Sequence, residues 1–303
     1  NISKCDTSAA KFQSEETGLV DGIGTEDEIL GKIRELVTYL PSNCEDTDSY
    51  MECTDDLNRV CEDIENCTGD TAIALSRIAD NGQFFEVKAD YGKSVAVGFI
   101  RLNGATVGAV ANRSESYDVE GKKVWESDGT LSARGARKAA EFVKFCDAFE
   151  IPVLTLTNVN GFKATVCGEK MMAKSVGALV HAFADATVPK VNVVIGKAFG
   201  TAYTAMNSKA IGADMVYAWE NAEIGMMDAD LAAKIMYAGD DAAALTEKAA
   251  EYRELQNSVS SAAARGYVDT IISPADTRKY VIGAFEMLFT KREERPSKKH
   301  GTV

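Results

Sequence analysis

Apolar residues first recur at helical spacing over residues 26–40, EDEILGKIRELVTYL, where Ile29, Ile33, Leu36, Val37 and Leu40 follow a capping Thr25 and precede Pro41. The pattern predicts a helix that ends at the proline, whose ring cannot continue it. Residues 42–69 lose the periodicity and become acidic and polar, which predicts a linker over a surface with its charges in solvent. A helical pattern returns in TAIALSRIADNGQFFEV and is closed by Asn81-Gly82. SVAVGFIRL and ATVGAVAN are β-rich runs joined by Asn103-Gly104, a pair that readily adopts the positive φ of a tight hairpin turn. The polar stretch 117–129 predicts a second, smaller hairpin or a flap.

From there apolar strands and helices alternate. A helix near 133–148 leads to the strand IPVLTLTNV, a helix near 170–186 to KVNVVIG, and a short helix from about 201 to MVYAW. Helices near 229–237 and 241–257, the strand VDTII and a closing helix near 276–293 complete the chain. Strands that are apolar throughout, each followed by a helix, predict an α/β fold whose mainly parallel sheet is covered on both faces.

Composition narrows the chemistry. A chain of 303 residues, 46% of them apolar, can fill one large domain or two small ones, and it shows no short repeat. Its net charge of −13 repels phosphate backbones and argues against nucleic acid as a partner. No apolar run reaches the ~18–20 residues of a membrane span and no secretory signal opens the chain, so a cytoplasmic location is expected. The chain opens on Asn1 rather than Met, which reads as a start other than that of the natural product. Cys44, Cys53, Cys61 and Cys67 lack both C-x-x-C spacing and a nearby histidine, and reduced thiols are expected rather than a metal site. Cys146 and Cys167 lie among apolar or small residues and read as packing. The only histidines are His181, within a helical pattern, and His300, in a basic tail. With no G-x-S-x-G and no phosphate-loop motif, side-chain nucleophiles are poorly represented.

Backbone chemistry remains. Gly200, Thr201 and Ala202 stand where a buried strand hands over to a helix, and the first amides of a helix have no partner within it. An oxygen that becomes anionic could settle against them, and one such donor is typically worth ~3–4 kcal/mol of barrier. Tight helix–sheet packing selects the same small residues, and spacing alone leaves both readings open. A second turn at Asn160-Gly161 ends the preceding strand, and ligands of α/β folds gather at such carboxyl ends.

The segments FVKFCDAFEIPVLTLTNVNGF, HAFADATVPKVNVVIGKAFGTAYTAMNSK, ADMVYAWENAEIGMM and ARGYVDTIISPADTRKYVIGAFEMLFTKREERPSKKHG make the chain specific. Together with RIADNGQFFEV, VGFIRLNGATVGAVAN and ECTDDLNR, in that family's order, they resemble the carboxyl-terminal domain of biotin-dependent acyl-CoA carboxyltransferases. That family includes the carboxyltransferase subunits of propionyl- and acetyl-CoA carboxylases and of acyl-CoA decarboxylases. GLVDGIGTEDEILGKIRELVTYLP resembles the closing helix of the family's amino-terminal domain. The resemblance implies a crotonase-like (ClpP/crotonase) α/β spiral of ββα units, with residues 1–41 closing an amino-terminal domain, 42–69 a linker and 70–303 the carboxyl-terminal domain.

It further implies that the backbone amides of Gly200, Thr201 and Ala202 form an oxyanion hole for the ureido oxygen of biotin. Gly161, Phe162, Tyr203 and Thr204 are then substrate-binding positions. Carboxybiotin on a carrier protein and an acyl-CoA are the implied cofactor and substrate, with no metal. The implied partners are a biotin carboxyl carrier protein, a biotin carboxylase or a membrane decarboxylase subunit, and the amino-terminal domain, within a homo-oligomer. The chain departs from the family pattern at Asn160, where proline is usual, and at Thr204, where propionyl-CoA enzymes usually have aspartate, so the acyl group stays open between acetyl and propionyl. It departs again at Asp228, where glycine is usual, and in the insertion-like 117–129. Three other readings remain: the same site run as a methylmalonyl- or glutaconyl-CoA decarboxylase, a biotin-independent hydratase or isomerase with Glu169 and Glu223 as acid and base, or a non-catalytic interaction subunit.

Overall fold

The computed structural model describes residues 7–43, 49–118 and 120–296. It opens with α1 (Ala10–Phe12), which runs on as a π turn to Thr17, and α2 (Glu26–Tyr39). The capping role of Thr25 is borne out: its hydroxyl accepts the Glu28 amide, and the Glu28 carboxylate accepts the Thr25 amide at 2.7 Å. After a single 3-10 turn at Ile64–Cys67 come α3 (Thr71–Ile78), β1 (Phe84–Val87), β2 (Val95–Leu102), β3 (Ala105–Asn112), β4 (Glu115–Tyr117) and β5 (Lys123–Glu126). The remainder alternates as α4 (Ala133–Ala148), β6 (Val153–Val159), α5 (Val166–Asp185), β7 (Lys190–Phe199), α6 (Gly200–Ala205), β8 (Met215–Trp219), β9 (Glu223–Gly225), α7 (Ala229–Met236), α8 (Ala242–Tyr252), α9 (Val259–Ala264), β10 (Thr270–Ile272) and α10 (Thr277–Leu288).

Asn103 and Gly104 take φ of 50° and 79° and close the β2–β3 hairpin in the register that the sequence predicts. The main sheet runs β1-β2-β3-β6-β7-β8-β10, and β9 pairs with the far end of β7. Its first three strands are antiparallel, and from β3–β6 onward every pairing is parallel. Alternate residues of each strand feed two cores. Val97, Phe99, Val110, Val153 and Val194 pack under α4, α5, α6 and α9, while Ile100, Ala109, Leu154, Val193 and Trp219 pack under α3 and α10. This is the α/β architecture expected, with helices on both faces. The smaller hairpin also forms, as β4–β5, a few residues earlier than the 117–129 stretch predicts.

The acidic segment is not simply a solvated link. Residues 49–67 contain little regular structure, as expected, yet Cys61 and Ile64 are fully buried against the second core. Charge holds the segment down. Arg278 on α10, itself fully buried, donates to the Asp80 carboxylate at 2.6 Å and to the carbonyls of Ile78 and Asp56. Asp55 in turn accepts two hydrogen bonds from Arg59 Nε, at 3.0 and 3.1 Å, and one from the Asn81 amide at 3.0 Å. A buried guanidinium, each of whose three nitrogens has a partner, ties the segment to the end of the chain. β9 and α9 were not predicted from the pattern.

Candidate active site

The β7–α6 junction is built by a bulge followed by a left-handed turn. Thr157 of β6 faces Val194 and Val159 faces Ala198, so β7 carries extra residues between those two pairs. The bulge is pinned by Asn158, whose Oδ1 accepts the Lys197 amide at 3.0 Å and whose Nδ2 donates to Thr68 O at 3.1 Å. A Cβ on Gly196 would lie 2.6 Å from that same Oδ1, so only glycine fits. At Gly200 the chain turns with φ of 63°, and a Cβ there would lie 3.2 Å from the Met226 carbonyl oxygen. Conformation therefore explains the first of the three small residues in addition to access.

Beyond the turn, Phe199 caps α6 without any side-chain hydrogen bond. No turn, loop or side-chain hydrogen bond among the described residues reaches the amides of Thr201 or Ala202. Thr201 is exposed and Ala202 is buried beneath it. The junction thus presents helix-start donors beneath a surface residue.

Tyr203 and Thr204 lie on α6 itself, and Gly161 and Phe162 follow the neighbouring strand. Tyr203 is buried, its hydroxyl has no hydrogen-bond partner, and burial pushes its pKa up to about 12. Thr204 is half-buried and its hydroxyl reaches back to Gly200 O at 3.5 Å. Gly161 and Phe162 follow β6, the strand beside β7, and α6 contacts both β6 and α5. Their loop is fixed by the Leu131 amide donating to Gly161 O at 2.8 Å and by the Lys163 amide donating to Leu131 O at 3.0 Å. Asn160 donates to Asp128 O at 2.7 Å and so anchors this loop through its side chain. α5 begins at Val166, earlier than predicted, because Thr165 caps it by accepting the Gly168 amide at 3.0 Å.

The structure adds a charged group that sequence reasoning missed. Lys197 Nζ lies 3.5 Å from Asp228 Oδ2, and Asp228 Oδ1 caps α7 by accepting the amides of Asp230 and Leu231 at 3.0 and 3.4 Å. Burial alone would raise the Asp228 carboxyl, but the Leu231 amide, the Lys197 ammonium and the Asp230 amide outweigh it and hold its pKa below the usual value. The partners are 31 residues apart, so no local spacing could have joined them.

Glu169 and Glu223 do not form an acid–base pair. Glu169 is exposed in the first turn of α5, whereas Glu223 on β9 forms an ion pair with Arg253 Nε at 3.4 Å. His181 lies half-buried on α5, and its Nδ1 has no partner. His300 and Cys44 lie outside the described residues. No cluster of three or more His, Cys, Asp or Glu side chains that could hold a metal ion occurs among the described residues, and no helix there is long and apolar enough to cross a membrane.

Comparison with known proteins gives the junction a context. Residues 2–303 match the family model described as a carboxyl transferase domain. The methylmalonyl-CoA carboxyltransferase 12S subunit of Propionibacterium freudenreichii subsp. shermanii is 40% identical over 281 residues, covering 88% of this chain and 52% of that protein. The propionyl-CoA carboxylase carboxyltransferase subunit of Haloferax mediterranei is 38% identical over 293 residues, covering 92% of this chain and 55% of that protein. Among solved structures, a transcarboxylase 12S hexamer with hydrolysed methylmalonyl-coenzyme A bound superposes with a TM-score of 0.87 at 37% identity, covering 97% of this chain and 57% of that one. That likeness makes the fold crotonase-like. The chain spans about half the length of the curated relatives it matches.

Proposed function

The chain belongs to the carboxyl transferase domain family, and from that premise we propose that it supplies the biotin-side half of an active site moving a carboxyl group between carboxybiotin and a short acyl-CoA, propionyl- or acetyl-CoA first. The observation that carries the reading is the β7–α6 junction, where Gly200 turns at φ of 63° and the amides after it receive no cap. Two features favour a ureido group there: the uncapped amides after Gly200 and the buried Tyr203 hydroxyl that lacks a partner.

When bound, carboxybiotin supplies an activated carboxyl group whose loss leaves negative charge on the ureido oxygen. The amides of Gly200, Thr201 and Ala202 donate to that oxygen and bind it more tightly as charge develops. Because these donors belong to the fold, they need no reorganisation at the moment of reaction. Gly161 and Phe162 flank the opening, Tyr203 offers a hydroxyl already stripped of water, and Thr204 faces the acyl group. None of these roles needs a side-chain base, in keeping with only two histidines in the sequence.

In this reading residues 1–41 close an amino-terminal domain that holds most of the acyl-CoA, 42–69 connect, and 70–303 form the biotin-side domain, working cytoplasmically in a homo-oligomer with a biotin carboxyl carrier protein. A biotin carboxylase partner would drive carboxylation, and a membrane decarboxylase subunit the reverse, since one site serves both directions. The test is transfer from a carboxybiotin-loaded carrier to propionyl- or acetyl-CoA by the full-length protein. Transfer to one of them is expected; a folded protein inactive with every short acyl-CoA would overturn the assignment.

A further inference from the structure

Asp228 stands at the start of α7, where its place in the fold gives it a role. The bulge in β7 sets Lys197 three residues before the Gly200 turn, with its ammonium over the Phe199 ring at 6.0 Å from the centroid. Asp228 reaches it from the start of α7, two residues after Met226, whose carbonyl borders Gly200. Both side chains stay partly open to solvent, at 45% for Lys197 and 32% for Asp228.

The two nearby carboxylates share a different cation. Glu223, the register partner of Lys197 on β9, and Asp230 on α7 both pair with Arg253, at 3.4 and 3.6 Å. Asn158, packed against the bulge from β6, is neutral. Among the described residues Asp228 is the one carboxylate paired with Lys197, and an ammonium has three donors. A cation with spare donors thus stands three residues before the Gly200 turn, in a chain of net charge −13.

We propose, resting on the carboxyl-transfer reading above, that the Lys197 ammonium pairs with the carboxylate that a carboxylated biotin donor brings to the start of α6, and that Asp228 is the positioning residue that holds it there. The pairing is strongest before charge moves to the ureido oxygen, so it favours donor binding over rate.

The test compares binding of carboxybiotin-loaded and unloaded carrier protein to the full-length protein without acyl-CoA, followed by steady-state kinetics with propionyl-CoA. Wild type should bind the loaded carrier roughly 10-fold more tightly than the unloaded one, as for a partly exposed charged hydrogen bond. Lys197→Met should erase that difference, leave affinity for the unloaded carrier unchanged, and raise KM for the donor with kcat no lower than that of wild type, because the interaction lost belongs to the ground state. Lys197→Arg should restore part of the difference. Asp228→Asn keeps the helix cap but removes the charge. It should reduce the preference for the loaded carrier toward that of Lys197→Met while leaving affinity for the unloaded carrier unchanged, because the ammonium loses the carboxylate that holds it in place. A preference unchanged in Lys197→Met, or a fall in kcat with no change in binding, overturns the proposal alone. Failure of wild type to bind either carrier overturns the carboxyl-transfer reading and the proposal with it.

Discussion

Gly200 combines two demands that the sequence displays as one. Small side chains at a strand-to-helix junction are visible in GKAFGTAYTAM, but the positive φ of Gly200 and the Met226 carbonyl that a Cβ there would meet at 3.2 Å are not. Gly200→Ala should therefore lose about 1–3 kcal/mol of stability through backbone strain, read by denaturant unfolding, and displace the donors after it. Tyr203→Phe removes a buried hydroxyl with no partner and should leave the protein as stable or up to about 1 kcal/mol more stable, while raising KM for the donor. Lys138 on α4 is a separate case. Buried, it donates to Lys88 O and Tyr91 O at 2.8 and 2.9 Å, and burial lowers its pKa to about 7. Between pH 7 and roughly 10.5 the unfolded chain holds a proton there that the folded chain has released, so this group makes stability rise with pH across that window and flat below it. In Lys138→Met, chemical denaturation at several pH values should show that rise removed.

Elements with a strong local signal were readable, and elements held from a distance were not. Thr25 with Glu28, Asn103-Gly104 and the apolar face of α4 each carry their instruction within a few residues, and α2, the β2–β3 hairpin and α4 form as predicted. β9 spans three residues and exists because the bulged end of β7 offers it an edge, which no periodicity reports. The 49–67 segment looks like a solvated link because its fastener, Arg278, lies 222 residues from Asp56 and 198 from Asp80. Arg278→Met should cost about 3–5 kcal/mol by leaving Asp80 buried without its cation. Limited proteolysis should then cut within residues 49–67 before the rest of the domain, whereas uniform loss of the whole fold would point to a different role for that arginine.

At the scale of the molecule, one sheet does the positioning. Parallel β6 and β7 deliver the Gly161–Phe162 loop and the Gly200–Thr204 turn to the same edge, and the two cores beneath them fix both ends. The family and the α/β class were legible because long ordered stretches of sequence carry them; the Lys197–Asp228 pair was not, because it joins a strand to a helix only in three dimensions. The central claim is that main-chain donors at the start of α6 stabilise an oxygen as it becomes anionic. Thr201 is exposed and lies in the first turn of α6, where a proline ring is tolerated and removes one amide hydrogen without emptying the core. The most direct measurement is carboxyl transfer by full-length Thr201→Pro, with its fold checked by circular dichroism. The account predicts a fall in kcat of about 10²–10³-fold with donor affinity nearly unchanged. A folded Thr201→Pro protein that transfers carboxyl groups at the wild-type rate would contradict it.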